Sequence, residues 1–160
     1  MIRKATAEDF KFLYEMYMHP IINPHLLYEQ MSEDLFLPIF NKLIADAIMY
    51  IFYDEQTNIG MFKLIPQTYR SAHIVYLGSV AVHPLFAGKG MGQKMGLEII
   101  AFAKEKNYKR VELSAGAQND KAIALYKKLG FEEEGVLKKY TYFQKENRYI
   151  DEVMMSYIMD

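Results

Sequence analysis

The spacing of hydrophobic and polar residues changes several times along the chain, and each change predicts the start of a strand or a helix. Alternating or β-branched runs predict strands at residues 1–6, 47–53, 59–65, 72–82, 110–114, 131–143 and 148–159. A helix is predicted from Asn119 to Leu129, with Gly130 as its left-handed C-terminal cap. Three other segments have apolar residues at helical spacing, namely Phe10, Leu13, Tyr14, Tyr17 and Met18, then Leu35, Ile39 and Leu43, then Met91, Met95, Ile99 and Phe102.

The order of these elements is β-α-α-β-β-β-α-β-α-β-β, which predicts an α/β (α+β) fold in a single domain spanning residues 1–160. We expect a mixed, mostly antiparallel sheet of about seven strands with helices on both faces. Thr6 and Asp9 have capping-box spacing at the start of the first helix, and Pro20 ends that helix. Ser32 begins the second helix, which Pro38 is expected to kink or split. Polar residues 54–58 predict the turn of a hairpin.

Composition narrows the function classes. The chain has 160 residues, 51% of them hydrophobic and 24% charged, as in ordinary globular proteins. A net charge of -1 with interspersed signs argues against binding to nucleic acid or to an anionic membrane. The absence of cysteine excludes disulfides and thiolate chemistry and fits a cytoplasmic protein. His19, His25, His73 and His83 lack metal-ligand spacing, so no metal is expected.

A glycine-rich turn between a predicted strand and a predicted helix is the first candidate site. Gly88, Gly90 and Gly92 come at every second position, directly before the helical pattern. Such a turn lets backbone N–H groups at a helix start approach phosphate oxygens, although it could simply be a turn that needs positive φ. The P-loop pattern fails because Gly90 follows Lys89 where Ser or Thr is required, and the dinucleotide pattern fails because Met95 stands in place of its third glycine.

The second informative stretch runs from Asn119 to Phe131. Asn119 and Tyr126 are seven residues apart in the sequence, about two helical turns, so both side chains are expected on one helix face. Taken alone, Asn119 could be a helix cap and Tyr126 a packing residue.

Both stretches resemble the GNAT N-acetyltransferase superfamily. The glycine turn resembles its pyrophosphate loop, Gln/Arg-x-x-Gly-x-Gly/Ala, mapped onto residues 87–92, although Ala87 replaces the usual Gln or Arg. Residues 119–131 resemble its motif N-x-x-A-x-x-L-Y-x-K-x-G-F, and residues 130–159 are similar to the final strands of bacterial amine and amino-acid N-acetyltransferases. The resemblance implies one GNAT-like domain that transfers an acetyl group from acetyl-CoA to an amine in a ternary complex.

The resemblance also implies roles for individual residues. Tyr126 would be the general acid that protonates the departing thiolate, and a backbone N–H near Val80 to Val82 would stabilise the oxyanion. The residues implied to contact acetyl-CoA are Val80, Ala81, Val82, Gly88, Lys89, Gly90, Met91, Gly92, Gln93, Asn119 and Tyr126. Lys89 is a candidate to compensate for Ala87.

The general base stays open in the sequence. Tyr76 and Ser114 occupy the places where some relatives carry a glutamate. Glu112 shares a strand face with Ser114 and is a candidate base acting through water, as is a chain of ordered water without a protein base.

The acceptor is expected between residues 23–31 and the final hairpin, where Tyr28, Tyr76 and Tyr140 are candidate contacts. Glu29, Glu33 and Asp34 would attract a cationic amine. We expect a small amine or amino acid, with a peptide or protein N-terminus as the alternative. A non-catalytic CoA sensor is the rival function, and a homodimer is conceivable by analogy of fold.

Overall fold

The computed structural model describes all residues, 1–160, and contains four helices and a sheet of seven strands. The strands are β1 (Ile2–Lys4), β2 (Met49–Asp54), β3 (Thr57–Pro66), β4 (Ile74–Val82), β5 (Arg110–Gly116), β6 (Glu132–Phe143) and β7 (Arg148–Ile158). The helices are α1 (Phe10–Met18), α2 (Glu33–Ala45), α3 (Met91–Glu105) and α4 (Asp120–Leu129). The predicted order of elements is therefore confirmed.

The strand order in the sheet is β1-β2-β3-β4-β5-β7-β6. The pairs β1–β2, β2–β3, β5–β7 and β6–β7 are antiparallel, whereas β4 and β5 are parallel. The sheet is thus mixed and mostly antiparallel, as the element order predicts. No helix is long and apolar enough to cross a membrane.

The chain forms two compact units. The first comprises residues 1–64 and 79–95, and the second comprises residues 65–78 and 96–160.

Aromatic and aliphatic side chains of α1, α2 and strands β2 to β4 form the core of the first unit. Phe10 packs edge-on against Phe40, with ring centroids 5.1 Å apart, and Tyr17 lies 5.4 Å from the Phe36 ring. The buried residues of this cluster are Leu13, Met16, Tyr17, Ile22, Phe36, Phe40, Leu43, Met49, Ile51, Met61 and Ala81. Because each of these rings removes a large apolar area from water, the cluster contributes strongly to the stability of the unit.

The apolar face predicted for α2 is partly wrong. Leu35 is 66% exposed, and the buried residues of the helix are Phe36, Phe40 and Leu43. Both series have helical spacing, and packing against the rings of α1 selects the phenylalanine series. Pro38 lies inside α2, which nevertheless continues as one helix, so the helix is not split.

Local signals place the element ends well. Thr6 and Asp9 form the predicted capping box, in which the Thr6 backbone N–H donates to Asp9 Oδ2 at 2.8 Å. Gly130 has φ of 99° and adopts the left-handed conformation predicted for the C-terminal cap of α4. The hairpin turn between β2 and β3 is shorter than predicted, because both strands extend into residues 54–58 and leave only Glu55 and Gln56 between them.

Candidate functional site

The glycine turn of the first unit has the backbone geometry expected of an anion-binding loop. β4 ends at Val82, a short 3-10 turn covers Pro84–Phe86, and Gly88 and Gly90 follow with φ of 73° and 74°. A Cβ added at either glycine would meet no atom within 4 Å, so open space borders the turn. These left-handed positions explain why the sequence uses glycine here.

The start of α3 supplies N–H groups beside this open space. The Lys94 N–H donates to Gly90 O at 3.0 Å and makes the first bond of the helical pattern. The preceding N–H groups, those of Met91, Gly92 and Gln93, therefore have no partner within the helix. Together with the helix dipole they form a seat that fits a pyrophosphate.

Lys89 interacts with its own turn. Its ammonium donates to Leu85 O at 3.3 Å and lies 5.9 Å from the centroid of the Phe86 ring. Its predicted contact with the coenzyme, as a substitute for a side chain at Ala87, stays a prediction.

The strand that leads into the turn carries a local distortion that the sequence does not signal. Ser79 has φ of 50°, a left-handed conformation that is uncommon for a residue other than glycine. It directly precedes Val80, Ala81 and Val82, the segment predicted to stabilise the oxyanion.

The predicted proton donor of the second unit is a buried phenol. Tyr126 is only 9% exposed, and its ring packs edge-on against Phe131 with centroids 5.5 Å apart. Burial raises the pKa of Tyr126, and the nearby Tyr76 hydroxyl raises it further. The hydroxyl therefore keeps its proton at neutral pH, as a general acid must.

Asn119 has the structural role that its position suggests. Its side-chain oxygen accepts the Ala122 N–H at 3.3 Å and caps α4. The predicted contact of Asn119 with the pantetheine arm remains a prediction.

Tyr76 and Ser114 are brought together by the parallel pairing of β4 and β5. The Tyr76 hydroxyl and Ser114 Oγ are 2.9 Å apart. Ser114 also donates to Glu152 of β7, and the Thr141 hydroxyl of β6 donates to the other oxygen of the same carboxylate at 2.9 Å. Tyr140 interacts electrostatically with Tyr76, although it is mostly exposed.

Glu152 is a residue that sequence reasoning missed. In the antiparallel register of β5 and β7, Ser114 faces Met154 and Gly116 faces Glu152, so Glu152 is the diagonal neighbour of Ser114 on the same sheet face. Only this register, which a single sequence does not reveal, places a carboxylate on Ser114.

Glu112 forms an ion pair with Arg110 of the same strand. Its carboxylate accepts the Arg110 Nε–H at 2.8 Å, and Arg110 also pairs with Glu134. The ion pair with Arg110 thus occupies the Glu112 carboxylate, and the role of Glu112 as a base acting through water stays a prediction.

Tyr28, a predicted acceptor contact, lies in the first unit beside a buried cation. Asn23 fixes its loop by donating to Tyr17 O at 2.7 Å and to Tyr28 O at 2.9 Å. The Lys63 ammonium is 5.4 Å from the centroid of the Tyr28 ring, and burial lowers the pKa of Lys63. The acidic surroundings predicted for this loop thus include a positive charge at Tyr28.

The structure contains no group of three or more His, Asp or Glu side chains that could hold a metal ion. His83 instead pairs with Glu15, with Nε2 and Oε1 3.0 Å apart.

Comparison with known proteins gives a consistent result. The chain is 31% identical over 140 residues to a Bacillus subtilis (strain 168) protein provisionally named a ribosomal protein bS18-alanine N-acetyltransferase, a match that covers 87% of this chain and 85% of that protein. An uncharacterized N-acetyltransferase of Methanocaldococcus jannaschii is 38% identical over 65 residues, which are 41% of this chain and only 29% of that protein's length. The crystal structure of spermidine N-acetyltransferase from Vibrio cholerae in complex with CoA and spermine superposes with a TM-score of 0.85 at 24% identity, covering 99% of this chain and 94% of that one.

The family model for the acetyltransferase (GNAT) family matches residues 9–131, which include the glycine turn and the segment from Asn119 to Phe131. The predicted acetyl-CoA-dependent acyltransferase and its seven-stranded GNAT fold are confirmed. The chain belongs to the acetyltransferase (GNAT) family.

Proposed function

We propose that this acetyltransferase moves the acetyl group of acetyl-CoA to a primary amine of a small molecule or amino acid, by direct attack in a ternary complex. The observation that carries the proposal is the buried phenol of Tyr126, which burial keeps protonated and which lies near the Tyr76 hydroxyl. A protonated phenol can donate to a thiolate leaving group, which is the step that a non-catalytic CoA sensor would not need.

The glycine turn binds the coenzyme in this proposal. The backbone N–H groups of Met91, Gly92 and Gln93 hold the pyrophosphate, and the open space at Gly88 and Gly90 admits it. The side-chain amide of Asn119 contacts the pantetheine arm.

The bound coenzyme supplies an activated acetyl group as a thioester. A backbone N–H between Val80 and Val82 stabilises the oxyanion that develops on the carbonyl, and the distorted backbone at Ser79 supports the idea that these N–H groups are turned away from regular strand geometry. Tyr126 then gives its proton to the thiolate and regains one from the amine.

A second acceptor class is a protein or peptide N-terminus. It is favoured by the relative from Bacillus subtilis, whose name refers to the alanine of a ribosomal protein. The small-amine class is supported by the similar fold of the spermidine N-acetyltransferase, and the positive charge of Lys63 beside Tyr28 favours an acceptor with an anionic group such as an amino acid.

A thiol-release assay tests the proposal. The protein is incubated with acetyl-CoA and a panel of amino acids, polyamines, aminoglycosides and short peptides, including peptides that begin with alanine. Release of CoA that depends on one small amine supports the first class, and release that occurs only with peptides supports the second. Calorimetric binding of CoA without turnover by any acceptor would contradict both classes and favour the sensor.

A further inference from the structure

Side chains from four strands of the second unit form one hydrogen-bonded series. The Tyr76 hydroxyl of β4 lies 2.9 Å from Ser114 Oγ of β5, and Ser114 donates to Glu152 Oε2 of β7. Thr141 of β6 donates to Glu152 Oε1 at 2.9 Å. The carboxylate is thus held at both oxygens by neutral hydroxyl groups.

The direction of each hydrogen bond follows from the number of hydrogens available. Ser114 has a single hydroxyl hydrogen, which it donates to Glu152. Its oxygen must therefore accept from Tyr76, so the Tyr76 O–H points at Ser114. The lone pairs of the Tyr76 oxygen remain available to accept a hydrogen from a molecule on its other side.

Tyr76 also interacts with the proposed proton donor. Burial raises the pKa of Tyr126, and the Tyr76 hydroxyl raises it further. Both phenols lie in the second unit, and an amine that attacks a thioester beside Tyr126 would contact the open side of the Tyr76 hydroxyl.

We propose that Glu152 is the proton acceptor of the acetyl transfer and that the acceptor amine reaches it through the hydroxyl groups of Tyr76 and Ser114. This inference rests on the proposed function. It makes Tyr76 the residue that touches the amine, and Ser114 and Glu152 the groups that act through it.

The proton balance is complete without another reactant. The ammonium of the acceptor gives one proton to the Tyr76 oxygen, Tyr76 gives its own proton to Ser114, and Ser114 gives its own to Glu152. The neutral amine then forms the new C–N bond while the C–S bond breaks. Tyr126 protonates the thiolate and takes back the second amine proton, and Glu152 releases the first proton to solvent.

Glu152 is better suited to this task than Glu112. The partners of the Glu152 carboxylate are two neutral hydroxyls, whereas Glu112 is paired with Arg110 at 2.8 Å. The Tyr76 hydroxyl at the start of the series interacts electrostatically with Glu152, Tyr140 and Tyr126. Glu152 thus ends a hydroxyl series that leads from Tyr76, whereas Glu112 is held in the ion pair with Arg110.

The test compares pH profiles of kcat/KM for Glu152→Gln and for the wild-type protein, with the best acceptor from the thiol-release panel. If Glu152 accepts the proton, the wild-type profile has an acidic limb that is absent from the profile of the Gln variant. In the Gln variant we expect a decrease of at least ~tenfold near neutral pH and a rate that rises with pH up to the pKa of the acceptor amine itself. Ser114→Ala should show the same profile, and the double variant should be no slower than either single variant, because all three interrupt one relay.

Glu134→Gln is the matched control. Glu134 also accepts a serine hydroxyl hydrogen, from Ser156 Oγ at 2.6 Å, but it belongs to the ion pairs of Arg110. Its substitution should leave the pH profile unchanged even where it lowers the melting temperature.

If the wild-type protein is active and its pH profile of kcat/KM matches the profiles of Glu152→Gln and Ser114→Ala, this inference is overturned and the proposed function stands. A wild-type protein that acetylates no acceptor would overturn the proposed function and this inference with it. If Glu152→Gln fails to fold, Ser114→Ala decides the question by itself, since it removes only one hydroxyl.

Discussion

Replacing Tyr126 with phenylalanine removes one hydroxyl group and leaves the ring in place. The ring stays packed on Phe131, with centroids 5.5 Å apart in the wild-type structure, so the buried apolar area is retained. We therefore expect the free energy of unfolding to change by less than about 1 kcal/mol. The change isolates the proton that Tyr126 carries.

The magnitude follows from the protonation state. Because burial raises the pKa of Tyr126 above its usual range, the phenol is fully protonated at any pH used for an assay. Losing a positioned general acid for a thiolate, which is only a modest base, should lower kcat by about ten- to a thousandfold, or about 1.4–4.1 kcal/mol in activation free energy. Binding of CoA should change little.

The assay is single-turnover thiol release, with CoA affinity measured separately by calorimetry. Tyr157→Phe is the matched control, because the Tyr157 ring also packs against Phe131, with centroids 5.6 Å apart. It should keep the wild-type kcat. The same raised pKa also predicts that no loss of kcat from ionisation of Tyr126 occurs below ~pH 10.

An unchanged single-turnover rate in Tyr126→Phe would refute the role of the phenol as general acid. Equal losses in Tyr126→Phe and Tyr157→Phe would instead assign the effect to packing around Phe131.

Three further predictions concern the coenzyme loop and stability. Gly90→Val should weaken CoA binding in calorimetry by at least ~tenfold, because a side chain enters the open space and the left-handed φ costs about 1–2 kcal/mol. Gly135 is the control, since open space borders it too but its φ is not positive, and Gly135→Val should bind CoA normally. Asp9→Asn should destabilise by about 1–3 kcal/mol in urea titration, against little change for the exposed Asp46→Asn. Burial opposes ionisation of Asp9, but Arg3 and the Thr6 N–H outweigh it and lower the pKa of Asp9 below 3.8. The stability from Asp9 is therefore present above pH 3.8 and lost as the pH falls through the pKa of the folded protein. A free energy of unfolding that does not change over this pH range would contradict it. Lys63→Met should raise the free energy of unfolding by about 1–2 kcal/mol, because burial disfavours the charged amine and lowers the pKa of Lys63. This cost is complete below the lowered pKa and disappears as the pH rises from it to the ordinary value of 10.5. A destabilised Lys63→Met would contradict the assigned cost.

Features that depend on neighbouring residues in the chain could be predicted from the sequence. The capping box of Thr6 and Asp9, the left-handed Gly130 and the helix start after Gly90 are set by backbone preferences over a few residues. Short-range signals of this kind also carried the two motifs that indicate the family.

The face of α2 shows where local reasoning stops. Leu35, Ile39 and Leu43 satisfy helical periodicity as well as Phe36, Phe40 and Leu43 do, and only packing against Phe10 and Tyr17 decides between them. Periodicity gives the helix but does not give its rotation about its axis when two apolar series are present.

By itself the sequence determined the order of elements, the glycine turn and the positions of Asn119 and Tyr126, because each depends on contacts within a few residues. Only the tertiary structure decided which carboxylate meets Ser114. Glu112 is on the same strand but is paired with Arg110, while Glu152 reaches Ser114 across the register of β5 and β7. Residues 38 positions apart are joined by strand pairing, and a one-residue change of register would turn Glu152 to the opposite face of the sheet.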